Sequence, residues 1–334
     1  MQPYYDYLDF NRINYKTQLR KDVNKTGALL IVYFVVTLVV SFVAVLVPTI
    51  LTIFSSTSTQ ENLLEDTSFL MLVSGFTSLV TFFLVTIIYS IIVTADFLKI
   101  YPFEKVSANT MFLLCSFGLS IAIIANYASN LLLGLFDLVG IDANIDMEYK
   151  CDSALDVILF YVTVAIVPAL VEEFAFRGII LGNLRKHSDS FAVLISGVVF
   201  GLMHGNFAQI PFATIVGLVL GYITVKTNSL LPAIIIHFLN NAISVTLTLL
   251  STNTNLPEHI INAINIGVML VIGVFGLLSY FVIATKHKGF FKLSTTDNVI
   301  SFKEKLTSAC SSPTLIVFTV LVLLEALLTL SVEV

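Results

Sequence analysis

Long apolar runs alternate along the chain with short polar breaks. Nine stretches approach the roughly 20 mostly apolar residues that a membrane-spanning helix needs. They fall at about 28–54, 68–95, 110–136, 154–182, 190–206, 209–225, 231–250, 263–284 and 313–331. The fifth and sixth are short and separated by almost nothing. The pattern predicts an all-α polytopic membrane protein with about eight or nine transmembrane helices. A polar stretch, residues 1–27, precedes the first apolar run. That run is far longer than the apolar centre of a secretory signal, so it is expected to remain as a helix.

Basic residues fall almost wholly into alternate breaks. Arg12, Lys16, Arg20, Lys21 and Lys25 precede the first span; Lys99 and Lys105 follow the second. Arg185 and Lys186, then Lys226, then Lys286, Lys288, Lys292, Lys303 and Lys305 lie on the same side by alternation. Only Lys150 falls on the other side, in an acidic break with Asp137, Asp142, Asp146, Glu148 and Asp152. Cytoplasmic loops carry the excess of Lys and Arg, so the N-terminus is expected in the cytosol.

Composition narrows the function. The chain of 334 residues is 57% hydrophobic and only 12% charged, with a mean hydropathy of +0.95. Soluble domains run at about 45–50% apolar and about 25% charged. A net charge of -5 offers no basic surface for nucleic acid. The three cysteines, Cys115, Cys151 and Cys310, show no metal-binding or disulfide-framework spacing.

An ionisable side chain within a span costs roughly 3 kcal/mol on insertion scales, so each one suggests a function. The fourth span reads VPALVEEFAFRGIIL and holds Glu172, Glu173 and Arg177. Glu173 and Arg177 are four residues apart and share a helix face. Glu172 points about 100° away, outside that pair. Pro168 has no N–H for the carbonyl of Val164 and should loosen the helix just before the acidic pair. The fifth span carries His204 in FGLMHGN, and the seventh carries His237 and Asn241 in HFLNN, again on one face. Taken singly, each has a structural reading as an interhelical hydrogen bond or ion pair. Asp156 lies close to an interface. Glu325, in the last span, reads as an interhelical contact without an assigned role.

Together these residues suit water-driven carbonyl chemistry. Glu172 can take a proton from water. His204 can orient that water, or bind a metal that holds it. His237 and Asn241 can donate hydrogen bonds to a developing oxyanion. Glu172, His204 and His237 also form a possible zinc set, so whether a metal is required stays open. No HExxH is present.

Three motifs, EExxxR, FxxxH and HxxxN, occur in that order: Glu172-Glu173-Phe174-Ala175-Phe176-Arg177, Phe200 to His204, and His237 to Asn241. In this the chain resembles the CPBP family of intramembrane endopeptidases (CAAX proteases and bacteriocin-processing enzymes, also called Abi proteins). The resemblance covers about residues 154–250. It implies cleavage of a membrane-associated peptide or protein, with or without a lipid, in a prokaryotic plasma membrane. It gives Glu172 and His204 the activation of water, His237 and Asn241 the oxyanion hole, and Glu173 and Arg177 a supporting role. The organisation expected is a cytosolic segment 1–27, three helices over 28–153, the catalytic core 154–250, and two helices with an inner loop over 251–334.

By alternation Glu172 and His237 lie at similar depths, whereas His204 falls near the outer end of a simple fifth span. The arrangement expected is a fourth helix that projects into the cytosol, with the site in a water-filled cavity opening toward the basic side. Two other classes compete. Buried Glu, His and Arg also build proton-coupled transporters, although no second, matching set occurs in the first three spans. The third is a catalytically silent immunity or scaffold protein.

Overall fold

The computed structural model describes residues 2–54, 66–93, 101–144, 151–293 and 299–332. Lys99, Asp146, Glu148 and Lys150, used in the charge reading, lie outside them. The architecture is the all-α polytopic one read from the apolar runs. Ten helices follow in order: α1 (Gln2–Phe54), α2 (Thr67–Ile92), α3 (Ala108–Asp137), α4 (Ala154–Leu184), α5 (Asp189–Leu202), α6 (Ile210–Thr227), α7 (Leu231–Thr252), α8 (Glu258–Lys286), α9 (Phe302–Cys310) and α10 (Pro313–Leu328). The one strand pair among the described residues is short, with β1 (Ile141–Asp142) antiparallel to β2 (Ser331–Val332).

The helix ends carry the expected local chemistry. Ser107 and Ser312 cap α3 and α10, and Ser153 and Ser301 form capping boxes with Asp156 and Glu304. Pro232 and Pro313 sit in first turns, where a missing N–H costs nothing. Asn228, at φ 46°, ends α6 in the left-handed conformation.

Among the described residues seven helices are long and apolar enough to cross a bilayer, or eight if α9 and α10, bent by 66° at their junction, form one span. The stretch 190–206 differs from its reading as a span. Helix α5 has 14 residues, about 21 Å of helix against a hydrocarbon core of about 30 Å. It stops because Gly205 takes φ +65° and Asn206 folds back, donating to the carbonyl of His204 at 2.7 Å. Helices α5 and α6 then form a tight hairpin. A Cβ on Gly201 would sit 1.9 Å from Thr214 Oγ1 and 2.7 Å from its backbone nitrogen, so only glycine permits this approach.

The helix ends sort into two groups. At one end Arg185 donates to Asn228 Oδ1 at 3.1 Å, and Leu230 N–H to the Pro102 carbonyl at 2.8 Å. There Lys226 Nζ also reaches the Gly289 carbonyl at 3.2 Å. The basic breaks thus gather together. At the other end β1 meets β2, and the Cys151 N–H reaches Asn253 Oδ1 at 3.4 Å.

Helix α1 runs unbroken for 53 residues, through the polar stretch 1–27 into the apolar run. Its polar part is anchored at the basic end. Asp22 pairs with Lys186 Nζ and His187 Nε2, both at 3.0 Å, and Lys16 with Glu304 at 2.8 Å. Helix α8 instead turns Leu270, Val274 and Leu278 outward, each more than half exposed, as a lipid-facing surface requires. Asp156 sits in the first turn of α4, near the helix end, and is buried there: it accepts from Ser153 at 2.9 Å and from Ser68.

Candidate active site

Helix α4 passes through two π-helical segments, Tyr161–Ile166 and Phe174–Ile180, on either side of Pro168 and the two glutamates. Such segments often mark functional places in helices. The helix does loosen before the acidic pair, as Pro168 demands. The Val164 carbonyl accepts a hydrogen bond from Asn241 Nδ2 of α7 at 2.9 Å. The proline and the asparagine are therefore two halves of one contact.

The two adjacent glutamates have different fates. Glu173 is fully buried and its Oε1 accepts from Arg177 Nη1 at 2.8 Å and from His237 Nδ1 at 2.9 Å. Arg177, also fully buried, donates through Nη2 to the Gly217 carbonyl of α6 at 3.1 Å. Its guanidinium lies 4.2 Å from the Phe200 ring centroid. A buried charge is tolerated only when paired and hydrogen-bonded, and this group ties α4, α5, α6 and α7 around one carboxylate. Glu172 faces the other way and lines a cavity of about 880 Å³ with His204, His237 and Asn241.

Phe200 holds both histidines in place. Its ring lies 5.2 Å from the His204 ring and 5.9 Å from the His237 ring, edge-on to each. Its carbonyl accepts from His204 Nδ1 at 3.0 Å. That carbonyl lies in the last turn of α5, where intrahelical donors run out, so the imidazole supplies the missing one. With the hydrogen on Nδ1, Nε2 of His204 is left as an acceptor. In His237 the carboxylate at Nδ1 likewise requires the hydrogen there. Its Nε2 is then an acceptor in the neutral ring and a donor in the imidazolium.

All six residues singled out by the motifs are brought together. Glu172, His204, His237 and Asn241 line the cavity, and Glu173 and Arg177 lie behind it. The sequence reading passed over Phe200 as a structural hub. It also passed over Asn240, which lines the same cavity and donates to Asn241 Oδ1 at 3.1 Å. Glu325, left without a role, lies against the α5–α6 turn, its Oε2 2.4 Å from where a Cβ on Gly205 would stand. Among the described residues no three His, Cys, Asp or Glu side chains form a group able to hold a metal.

The direction of the cavity corrects the expectation from helix counting. It does not lead to the basic end. Its lining continues along α3 from Leu119 to Leu133, along α7 from His237 to Ser251, and to Asn144 beyond β1. All of these run toward the opposite end. The physical reason is the apolar segment LPAIII at the start of α7, residues 231–236, largely buried between His237 and the basic end.

Known proteins resemble part of this chain. A 100-residue stretch is 33% identical to YdiL, a candidate membrane peptidase of Bacillus subtilis (strain 168), covering 28% of this chain and 41% of that protein. Over 100 residues the chain is also 33% identical to MroQ, a membrane-embedded CAAX protease of Staphylococcus aureus (strain USA300), covering 40% of it. The chain thus spans about two fifths of the length of the curated relatives it matches. No solved structure matches it. Residues 154–243 match the family model of the type II CAAX prenyl endopeptidase Rce1-like proteins. That match contains Glu173 and all three motifs, and it bears out the resemblance read from them: this integral membrane protein carries, at its centre, a segment similar to the Rce1-like CAAX prenyl endopeptidases.

Proposed function

We propose that the protein is an intramembrane endopeptidase that hydrolyses a peptide bond of a membrane-associated peptide or protein. The observation that carries this reading is the shared cavity. A carboxylate with no hydrogen-bond partner among the described residues, Glu172, faces it together with two imidazoles and an amide supplied by other helices.

The residues divide the work as follows. Glu172 accepts a proton from a water molecule whose other hydrogen is held by Nε2 of His204. The resulting hydroxide attacks the substrate carbonyl carbon. The oxygen becomes an oxyanion and receives hydrogen bonds from Asn241 Nδ2–H and from Nε2–H of His237 as imidazolium. Glu173 neutralises that imidazolium, and Arg177 holds Glu173. The proton on Glu172 passes to the leaving nitrogen, and the C–N bond breaks. The donors act in a site of low dielectric, where they count for more than in water. The basic end of the bundle is assigned to the cytosol of a prokaryotic cell, following the charge asymmetry.

The test is cleavage of membrane-embedded peptides by purified protein, read by mass spectrometry, with Glu172→Gln in parallel. Products from wild type alone support the reading. Products from both remove Glu172 from the chemistry, and products from neither remove the protease.

A further inference from the structure

The walls of the cavity change character along the bundle. Between the site and the basic end, α7 offers only apolar residues, Leu231 to Ile236. Beyond His237 the helix places Asn240, Ser244, Thr248 and Ser251 along the cavity, at spacings of four, four and three. Those spacings keep them on one face. Helix α3 does the same with Asn126, Ser129 and Asn130, and α8 contributes Asn265. In contact with lipid such stripes would be costly, and polar residues in spans face an interior or a water-filled space.

The lining mixes apolar side chains with amides and hydroxyls. Among the described residues it contains no Lys, Arg or Asp, and Glu172 is its one carboxylate. Amides and hydroxyls both donate and accept, which matches a peptide backbone. Two of the groups, Ser129 Oγ and Asn265 Oδ1, are buried with no hydrogen-bond partner among the described residues. The lengths also agree. The eleven helical steps from Asn240 to Ser251 rise about 16 Å, close to the length of five residues of extended chain at about 3.3 Å each.

We propose that the substrate enters from the end opposite the basic loops and descends this amide-lined shaft as an uncharged, extended peptide strand. The amides bind its backbone and deliver the scissile bond to Glu172. The substrate part of this inference rests on the endopeptidase reading; the direction of access does not.

Two measurements test the parts separately. In full-length protein with Cys115, Cys151 and Cys310 replaced, and its folding checked by thermal unfolding, single cysteines are introduced as Asn130→Cys, Thr248→Cys and Lys288→Cys. A membrane-impermeant maleimide is applied to right-side-out and inverted vesicles. The expected result is that Asn130→Cys and Thr248→Cys label from one face and Lys288→Cys from the other. Labelling of all three from one face, or no labelling of the shaft positions from either, overturns the access route. The second measurement compares a neutral peptide substrate with versions carrying Lys or Asp three residues from the cleaved bond. A fall in kcat/KM of tenfold or more for both charged versions is expected. Equal cleavage of all three overturns the uncharged-strand proposal. Cleavage of none overturns the endopeptidase reading with it, while the labelling result still stands.

Discussion

The two sides of the candidate site are built on opposite plans. Toward the basic end lies a buried floor, where Glu173 and Arg177 pair with each other, with His237 and with the Gly217 carbonyl beside Phe200, leaving Glu173 Oε2 and Arg177 Nε without a hydrogen-bond partner among the described residues. Toward the other end lies a shaft of amides and hydroxyls, some with no partner. Sequence neighbours are divided between them: Glu173 belongs to the floor and Glu172 to the shaft. The floor fixes where groups stand, and the shaft leaves them free to meet something else. One residue's difference in helix position separates a carboxylate locked in an ion pair from one that faces the cavity.

The largest break in this contrast should come from the floor. Arg177→Ala strands Glu173 in a dry interior, and breaking a buried pair costs about 3–5 kcal/mol. Thermal unfolding in detergent should show a clearly lower melting temperature, with activity lost as a consequence. Glu172→Gln should do the reverse. It should lower the cleavage rate by about 10²–10⁴-fold, the usual contribution of a general base, and leave the melting temperature unchanged. If the two variants lose stability equally, the division into floor and shaft is wrong.

Smaller effects sharpen the boundary. Gly201→Ala forces a methyl group into Thr214 and should cost about 1–3 kcal/mol, seen as a shifted unfolding midpoint. Ser129→Ala deletes a buried hydroxyl that bonds to nothing in the protein, so the fold should keep its stability within about 0.5 kcal/mol or gain slightly. The same change should raise KM if a substrate N–H bonds there. A zinc chelator should leave the cleavage rate unchanged; loss of activity restored by added zinc would overturn the water activation assigned to Glu172 and His204.

Much of the floor was legible because its parts are local. The i,i+4 spacing gave the Glu173–Arg177 pair, the 100° offset separated Glu172, and Pro168 announced a freed carbonyl. What the freed carbonyl binds was not legible. Asn241 lies 77 residues away from Val164, and His237 lies 64 residues from Glu173. Nothing in residue spacing pairs helices across such distances. The reading of 190–206 as a span failed because the apolar run continues to Phe200 and Leu202, while Gly205 and Asn206 turn the chain before a bilayer's thickness is covered. The direction of the shaft was present in the sequence and was passed over. Asn126, Ser129 and Asn130 in α3, and Ser244, Thr248 and Ser251 in α7, all lie on the far side of the site. Counting helix depth gave the position of His237 but not which way its surroundings become polar.

Phe200 shows how side-chain replacement can undercount a residue. Its ring lies under the guanidinium of Arg177, but its carbonyl is what holds His204. Every substitution among the twenty amino acids alters the first and keeps the second. A mutational scan of this position would therefore record an aromatic packing residue and miss its hold on the imidazole. Only a change to the main chain itself, such as an ester in place of the amide that follows Phe200, would weaken that acceptor and expose the hidden half of its work.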